Sequence, residues 1–267
     1  LVSNDEQPRN GWEVVTVQTK TWESLMASTP TETRDVSRSS SHGELTGEGR
    51  SVLFHPGDVL AERYEVIRQV GQGGMGRVLE VRCLESGQHV ALKYCDPARS
   101  EAKRLVREAR ILGGITHSHL IPILDAHLDH EPPFFVMPLA RETLSTAIRR
   151  YRGDWSWAFA TFRQICLGVQ ALHHAGVIHR DLKPSNVLRL ADGRYVVADL
   201  GTAKREPRDS SILTQTCAIV GTFSYLAPEQ LMPGGSRQAD ARTDVYQLGK
   251  LLYQMTTGKY PAVIDPA

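Results

Sequence analysis

The stretch His179-Arg180-Asp181-Leu182-Lys183-Pro184-Ser185-Asn186 is polar but lies between two apolar runs, Ala175–Ile178 and Val187-Leu188. Apolar flanks around ionic and amide side chains suggest a rigid loop whose charges point into a cleft. Asp181 and Asn186 are five positions apart and can face one pocket if the loop folds back. Lys183 adds a positive charge beside the carboxylate. A carboxylate, an ammonium and an amide oxygen are the groups that move a phosphoryl group from a metal-bound nucleotide to a hydroxyl. In that chemistry Asp181 accepts the hydroxyl proton, Lys183 offsets charge on the moving phosphoryl, and Asn186 holds a metal ion. A plain polar turn is the other reading, and the length of the pattern H-R-D-L-x-x-x-N argues against it.

Two further groups of residues belong with this loop if that chemistry is right. Tyr195-Val196-Val197-Ala198-Asp199-Leu200-Gly201 reads as an apolar strand ending in Asp-x-Gly, with Asp199 placed 18 residues after Asp181. Asp-x-Gly alone is a common turn; its position makes Asp199 the expected second metal ligand, acting with Asn186. Upstream, Gly71-Gln72-Gly73-Gly74-Met75-Gly76 follows the strand-like Arg63–Val70. By itself G-x-G-x-x-G fits a dinucleotide site, a phosphate-covering loop or a flexible turn. A dinucleotide site needs a helix directly after the glycines. Here Arg77–Leu84 alternates as a strand, turns at Glu85–Gln88 and returns as a strand over His89–Tyr94. The glycines therefore cap a hairpin, whose bare backbone N–H groups can approach phosphates. Lys93 closes the apolar Val90-Ala91-Leu92, where an ammonium needs an anion unless it snorkels to solvent. Its expected partner is Glu108, on a helix predicted from Glu101 to about Leu112 with Ser100 as N-cap. Glu108 shares a face with Leu105 and Leu112.

The elements that must position these groups follow from periodicity. Ile121–Leu124 and Phe134–Met137 are expected to complete a five-stranded antiparallel sheet. Helices are predicted over Thr143–Tyr151 and Trp155–Ala175, the latter with Phe159, Phe162, Ile165, Val169 and Leu172 as its core stripe. A β-rich half thus ends near residue 138 and an α-rich half begins, with a nucleotide-sized cleft expected between them. The fold class is α+β. The 31 basic and 30 acidic residues give a formal charge of +1, which offers no reason to expect nucleic acid or an anionic membrane as partner. Cys83, Cys95, Cys166 and Cys217 form no C-x-x-C and read as free thiols of a reducing compartment, not a zinc site. No window approaches a membrane span, and Leu1–Asn10 lacks the apolar core of a signal peptide. Residues 1–55 are rich in Ser and Thr and read as a disordered tail, with Trp12–Val17 as a short strand or docking segment within it.

Residues 64–261 resemble a Hanks-type protein kinase, and within that family the bacterial, eukaryote-like serine/threonine branch. The likeness is carried by the glycine loop at 71–76, the Lys93 strand, the loop at 179–186, Asp199-Leu200-Gly201, and Gly221-Thr222 through Tyr225-Leu226-Ala227-Pro228-Glu229-Gln230. It implies a bilobal fold: an N-lobe over about 56–137 with one helix, a hinge at 138–140, and a mostly α-helical C-lobe from 141 that stops early at 267. It implies ATP with Mg²⁺ or Mn²⁺. The nucleotide would be bound by Val70, Gly71, Gln72, Gly73, Gly74, Met75, Gly76, Val78, Ala91, Lys93 and Glu108, with Met137 as gatekeeper and Leu139 in the hinge. Thr222 would touch the Asp181–Lys183 pair, and Asp244 would anchor the catalytic loop from below. Thr214 and Thr216, in a Ser/Thr-rich segment, would be autophosphorylation sites whose phosphates pair with Arg180. Two departures stand out. The interval from Lys93 to Glu108 is 15 residues, shorter than the family usually shows. The chain also ends soon after the Asp244 helix, before the Arg that would pair with Glu229. Leu248, Leu251, Leu252 and Met255 are therefore expected to lie exposed, and the chain, which begins at Leu, is expected to be a fragment.

These observations favour an ATP-dependent protein serine/threonine kinase, acting on protein hydroxyls and associating with itself to autophosphorylate. The expected location is the cytoplasm, or the cytoplasmic part of a longer membrane kinase. The alternatives are a nucleotide-binding, pseudokinase-like scaffold and a small-molecule phosphotransferase. Ala227-Pro228-Glu229 argues against the last, because by family likeness it shapes a groove for a protein substrate.

Overall fold

The computed structural model describes residues 53–73, 76–95, 101–200, 204–205, 224–232 and 239–262. The tail expectation up to residue 52, and those for Gly74, Met75, Ser100, Gly201, Thr214, Thr216, Cys217 and Thr222, lie outside the described residues. Strands β1 (Val59–Leu60), β2 (Tyr64–Gly73), β3 (Gly76–Cys83), β4 (His89–Tyr94), β5 (Asp125–His127) and β6 (Phe134–Pro138) form one sheet in the order β1-β2-β3-β4-β6-β5. Every pairing in it is antiparallel. The sheet has six strands, not five, because Val59 and Leu60 add a short edge strand opposite Glu65 and Tyr64.

Side-chain alternation divides the apolar residues of this sheet between two cores. On β4, Val90, Leu92 and Tyr94 join Tyr64, Leu79, Val81 and Phe134 in a cluster that belongs to the sheet alone. Ala91 and Cys95 face the other way, into a core shared with helix α1 (Glu101–Gly113) and the rest of the chain. Lys93 lies on this second face by the same alternation. Helix α1 buries Leu105, Glu108, Ala109 and Leu112, so its carboxylate meets the sheet where Lys93 stands.

The expected strand at Ile121–Leu124 is replaced by a different connection. Pro122 has no N–H to give to a ladder. Ile121 N–H instead donates to the Val197 carbonyl (3.0 Å), and Val197 N–H donates to the His119 carbonyl (2.9 Å). Leu120 and Ile121 are buried there, between the sheet and the helical part, and the β-strand proper starts only at Asp125.

The helical part is built on α2 (Leu144–Arg150), α3 (Trp155–His174), the short α4 (Pro228–Leu231) and α5 (Ala241–Thr257). Strands β7 (Glu142–Thr143), β9 (Val187–Arg189) and β10 (Tyr195–Val197) form a small sheet, and β8 (Val177–Ile178) pairs with β11 (Lys204–Arg205). Asp154 caps α3 by accepting from Trp157 N–H (2.9 Å), and Asp240 caps α5 by accepting from Arg242 N–H (2.8 Å). The α3 face that enters the core carries Ala158, Thr161, Ile165, Gly168, Val169 and Leu172. Phe162 is only half-buried, and Phe159, expected in the core, is 51% exposed beside Trp155. The true stripe is rotated by one residue at this end, so Ala158 takes the inward place. At Gly168 the backbone of the 119–121 segment comes so close that a Cβ would lie 2.4 Å from the His119 carbonyl oxygen.

Helix α5 also differs from expectation. Leu251 and Met255 are fully buried against the rest of the core, and Leu248 packs partly against it. The exposed apolar side chains on α5 are Val245 and Tyr253. The reason is rotational: α5 turns Thr243, Asp244, Gln247, Leu251, Gln254 and Met255 inward together.

Candidate active site

Helix α5 holds the 179–186 loop from beneath through backbone groups. The Asp244 carboxylate accepts from Arg180 N–H (2.8 Å) and His179 N–H (2.9 Å), and from His173 Nε2 (2.7 Å). Gln247 Oε1 accepts from Leu182 N–H (2.8 Å). Gln247 Nε2 and Gln230 Nε2 both donate to the Arg180 carbonyl, at 3.1 and 2.8 Å. Five bonds to the backbone of His179, Arg180 and Leu182 explain how Arg180 is kept at φ 68°, a left-handed conformation that costs a non-glycine residue about 1–3 kcal/mol. His179 is fully buried; its Nε2 donates to the Ala198 carbonyl (3.1 Å) while Nδ1 accepts from Asp181 N–H (3.3 Å), which fixes the tautomer.

The same loop folds back, as the spacing of its polar groups requires. Asn186 Nδ2 donates to the Asp181 carbonyl (2.8 Å) and to Asp181 Oδ2 (3.1 Å). Lys183 Nζ donates to Oδ2 as well, at 2.8 Å. Among the described residues Oδ1 has no hydrogen-bond partner. Burial raises the Asp181 carboxyl above its ordinary range, and Lys183 pulls it back only in part. Ala198 N–H donates to the Asn186 carbonyl (2.9 Å), which sets Asp199 beside Asn186. Asp199 is left-handed too, at φ 63°, a conformation that Asp tolerates better than most residues.

Lys93 joins the two halves. Its Nζ lies 2.9 and 2.7 Å from the Glu108 carboxylate oxygens and 3.0 Å from Asp199 Oδ1. Burial works against the ammonium, but Asp199 and Glu108 outweigh it and hold its pKa above the ordinary lysine range. For Glu108 burial dominates: its carboxyl is pushed up to about 7, against the pull of Lys93. Burial also presses on Asp199, yet Lys93 wins and the carboxyl stays below its usual value. Ammonium and Asp199 are therefore both charged. The 15-residue interval is long enough to form the pair, because α1 brings Glu108 directly under β4.

The glycine hairpin closes the other side. Gly73 pairs with Gly76, and Gln72 with Arg77, across the tip. Gly76 has φ 130°, and a Cβ there would lie 2.4 Å from the Tyr94 carbonyl oxygen, so the backbone must be bare at this point. Val78, Ala91, Met137 and Leu139 belong to one apolar cluster, and a Cβ on Gly71 would touch Val78 at 3.7 Å. Val70 stands at a break in strand register and is 39% exposed, outside that cluster.

The protein kinase domain family matches residues 64–265. The chain belongs to the protein kinase family. Similar proteins are bacterial serine/threonine kinases. One, named a probable serine/threonine-protein kinase, from Corynebacterium efficiens, is 35% identical over 76% of this chain and 32% of its own length. The DNA damage-responsive serine/threonine-protein kinase RqkA of Deinococcus radiodurans is 36% identical over 79% of this chain and 32% of its own. The kinase PknD of Chlamydia pneumoniae is 31% identical over 75% and 24%. The chain spans about a third of the length of the first two of these curated relatives.

Sequence reasoning missed several residues of the kinase site. Gln230, Gln247 and His173 hold the loop alongside Asp244. Thr243 Oγ1 donates to Glu229 Oε1, so Glu229 has a partner within the described chain where an Arg was expected. The signal for Thr243 and Gln247 was available: polar residues on the inward stripe of an amphipathic helix require partners. The donor set fits a hard divalent ion. One carboxylate, Asp199, and one amide oxygen, on Asn186, leave the other positions of an octahedral ion to phosphate and water. Asp199 is partly exposed to the cleft, and Asn186 spends its amide nitrogen on Asp181. Of the described residues, no helix is long and apolar enough to cross a membrane.

Proposed function

We propose that this chain is an active kinase that transfers the γ-phosphoryl group of ATP to serine or threonine hydroxyls of proteins. The observation that carries this reading is the convergence of Lys93, Asp199, Asn186 and Asp181 on one crevice, with every charged position filled. ATP with Mg²⁺ or Mn²⁺ supplies the phosphoryl group and the charge that neutralises it. Lys93, held by Glu108, fixes phosphate oxygens; Asn186 and Asp199 hold the metal. Val78, Ala91, Met137 and Leu139 enclose the base. Asp181 Oδ1 takes the hydroxyl proton, and Lys183 offsets charge on the group in flight. The lobes on this reading run from about 56 to 137 and from 141 onward, with the hinge at 138–140.

Thr214 and Thr216 are proposed as sites of autophosphorylation that pair with Arg180, and Thr222 as a contact to Asp181 and Lys183. The test is incubation with labelled ATP, Mg²⁺ and a general protein acceptor, beside Asp181→Asn. Transfer by the wild type should fall at least a hundredfold in the variant, the size expected of a lost general base. Label should appear on Thr214 or Thr216, and replacing both by Ala should slow the enzyme. ATP binding without transfer would leave the scaffold reading standing instead.

A further inference from the structure

Beside the Asp181 loop the surface opens into a cavity of about 510 Å³, walled by Arg149, Arg152, Lys183, Ser185, Tyr225 and Tyr260 among others. Among the described residues, no Asp or Glu lines it. The Lys183 charge is matched by Asp181 at 2.8 Å. Arg150, one residue from Arg149, is matched by Glu142 at 3.1 Å. Arg149 and Arg152 differ: neither has a hydrogen-bond or ion-pair partner among the described residues. Helix α2 carries its basic residues in the last turn, where its carbonyl ends favour cations. That accounts for Arg149 in part, but Arg152 lies beyond the helix. Its stem is laid against the end of α5, where a Cβ on Gly258 would come within 2.9 Å of Arg152 Cγ, Cδ and Nε. The side chain is thus braced at the cavity wall.

Two guanidinium groups without partners among the described residues, one of them braced, make a site for an anion, and each presents a planar fork that suits carboxylate or phosphate. Helix α2 packs on the Pro184–Asn186 turn, so the cavity begins next to the catalytic loop. Lys183, which lines the cavity, also bonds Asp181 at 2.8 Å, so a substrate chain with its hydroxyl at Asp181 passes within a few residues of the cavity. We propose that the cavity reads an acidic or phosphorylated side chain of the protein substrate, with Arg149 and Arg152 as its specificity residues. This rests on the kinase reading above.

The test uses synthetic peptides with one Thr acceptor and, at each position within four residues on either side, Ala, Glu, phosphoserine or Lys. At one or two positions Glu or phosphoserine should raise kcat/KM about tenfold over Ala, through KM, as a charge-assisted pair would. A further gain for phosphoserine over Glu identifies phosphate as the preferred anion; equal rates identify a carboxylate. Arg149→Glu with Arg152→Glu should abolish the preference and favour Lys, while the Ala peptide keeps its rate. The single change Arg149→Glu, at an exposed residue without partners, should weaken the preference even if the double variant folds poorly. If the Ala, Glu, phosphoserine and Lys peptides react alike, or the variants keep the wild-type preference, this inference is overturned and the kinase reading survives. No transfer to any peptide overturns both.

Discussion

On the proposed reading Asp181 is the base, and Lys183 on the same short loop helps to set its working pH. Burial raises the Asp181 carboxyl, and Lys183 opposes the rise from 2.8 Å away. A base must be ionised to accept a proton, so activity is lost as pH falls through the raised value. The acid limb of kcat is therefore expected at higher pH than an ordinary aspartate would give. Removing Lys183 removes the largest pull that lowers the carboxyl. In Lys183→Ala the acid limb should move to still higher pH, besides the fall in rate. A kcat–pH profile for both proteins checks this, and a limb that stays in place or moves toward acid would contradict it. The convergence of Asp181, Lys183 and Asn186 was legible in sequence because their types and spacing on one loop require it to fold back. Gln230 was not, since its bond to the Arg180 carbonyl joins residues 50 apart and leaves no periodic trace.

At the scale of elements, α3 and α5 act as the floor on which the loop is laid, and α3 leaves no room for a methyl group at Gly168. Helices and most strands were legible from period and turn residues. Two errors have different causes. Phe159 was placed inward because a hydrophobic stripe does not fix its own rotation until the neighbouring element is known. Leu251 and Met255 were expected outward because the chain ends soon after α5, yet the core of the described chain already covers both. The 121–124 segment was read as a strand of the sheet, but its partner is Val197 in the other lobe, which local sequence does not encode. Gly168 is where that crossing segment touches α3. Gly168→Ala would force a Cβ to within 2.4 Å of a backbone oxygen, and is expected to cost about 1–3 kcal/mol. Gly249, in α5, has nothing within 4 Å of the same position. Gly249→Ala should therefore be neutral or raise stability by up to about 1 kcal/mol, from helix propensity alone. Thermal melts of the two variants distinguish close approach from a general effect of removing helical glycine; equal shifts would remove Gly168 from its assigned place.

Across the whole molecule, two ionic clasps bind parts that are remote in sequence. One is Lys93 with Glu108 and Asp199, which ties sheet, helix α1 and C-lobe together at the crevice. The other closes the N-lobe on itself. Strands β2 and β5 lie far apart in sheet order, yet Tyr64 Oη donates to Asp125 Oδ2 (2.6 Å) and Arg63 Nη1 reaches the same oxygen (2.9 Å). The sheet must be strongly curled for these residues to meet, and it encloses the cluster around Leu79, Leu92 and Phe134. Burial alone would raise the Asp125 carboxyl. Hydrogen bonds from His127 and Tyr64, with the Arg63 charge, overcome it and lower the carboxyl from 3.8 to about 2. A folded-state value below the unfolded one means stability that is present above about pH 4 and is lost as pH falls toward 2. A shift of this size is worth about 2 kcal/mol at neutral pH. Asp125→Asn keeps the shape but cannot titrate, so its stability should already be lower at pH 7. Between pH 5 and pH 2 it should decline less steeply than wild type, by about 2 kcal/mol in urea unfolding. Parallel pH dependences for the two proteins would mean that the clasp contributes nothing to the folded lobe. A reduced slope in the variant would instead locate part of the acid sensitivity of this kinase fold at the seam where its sheet closes.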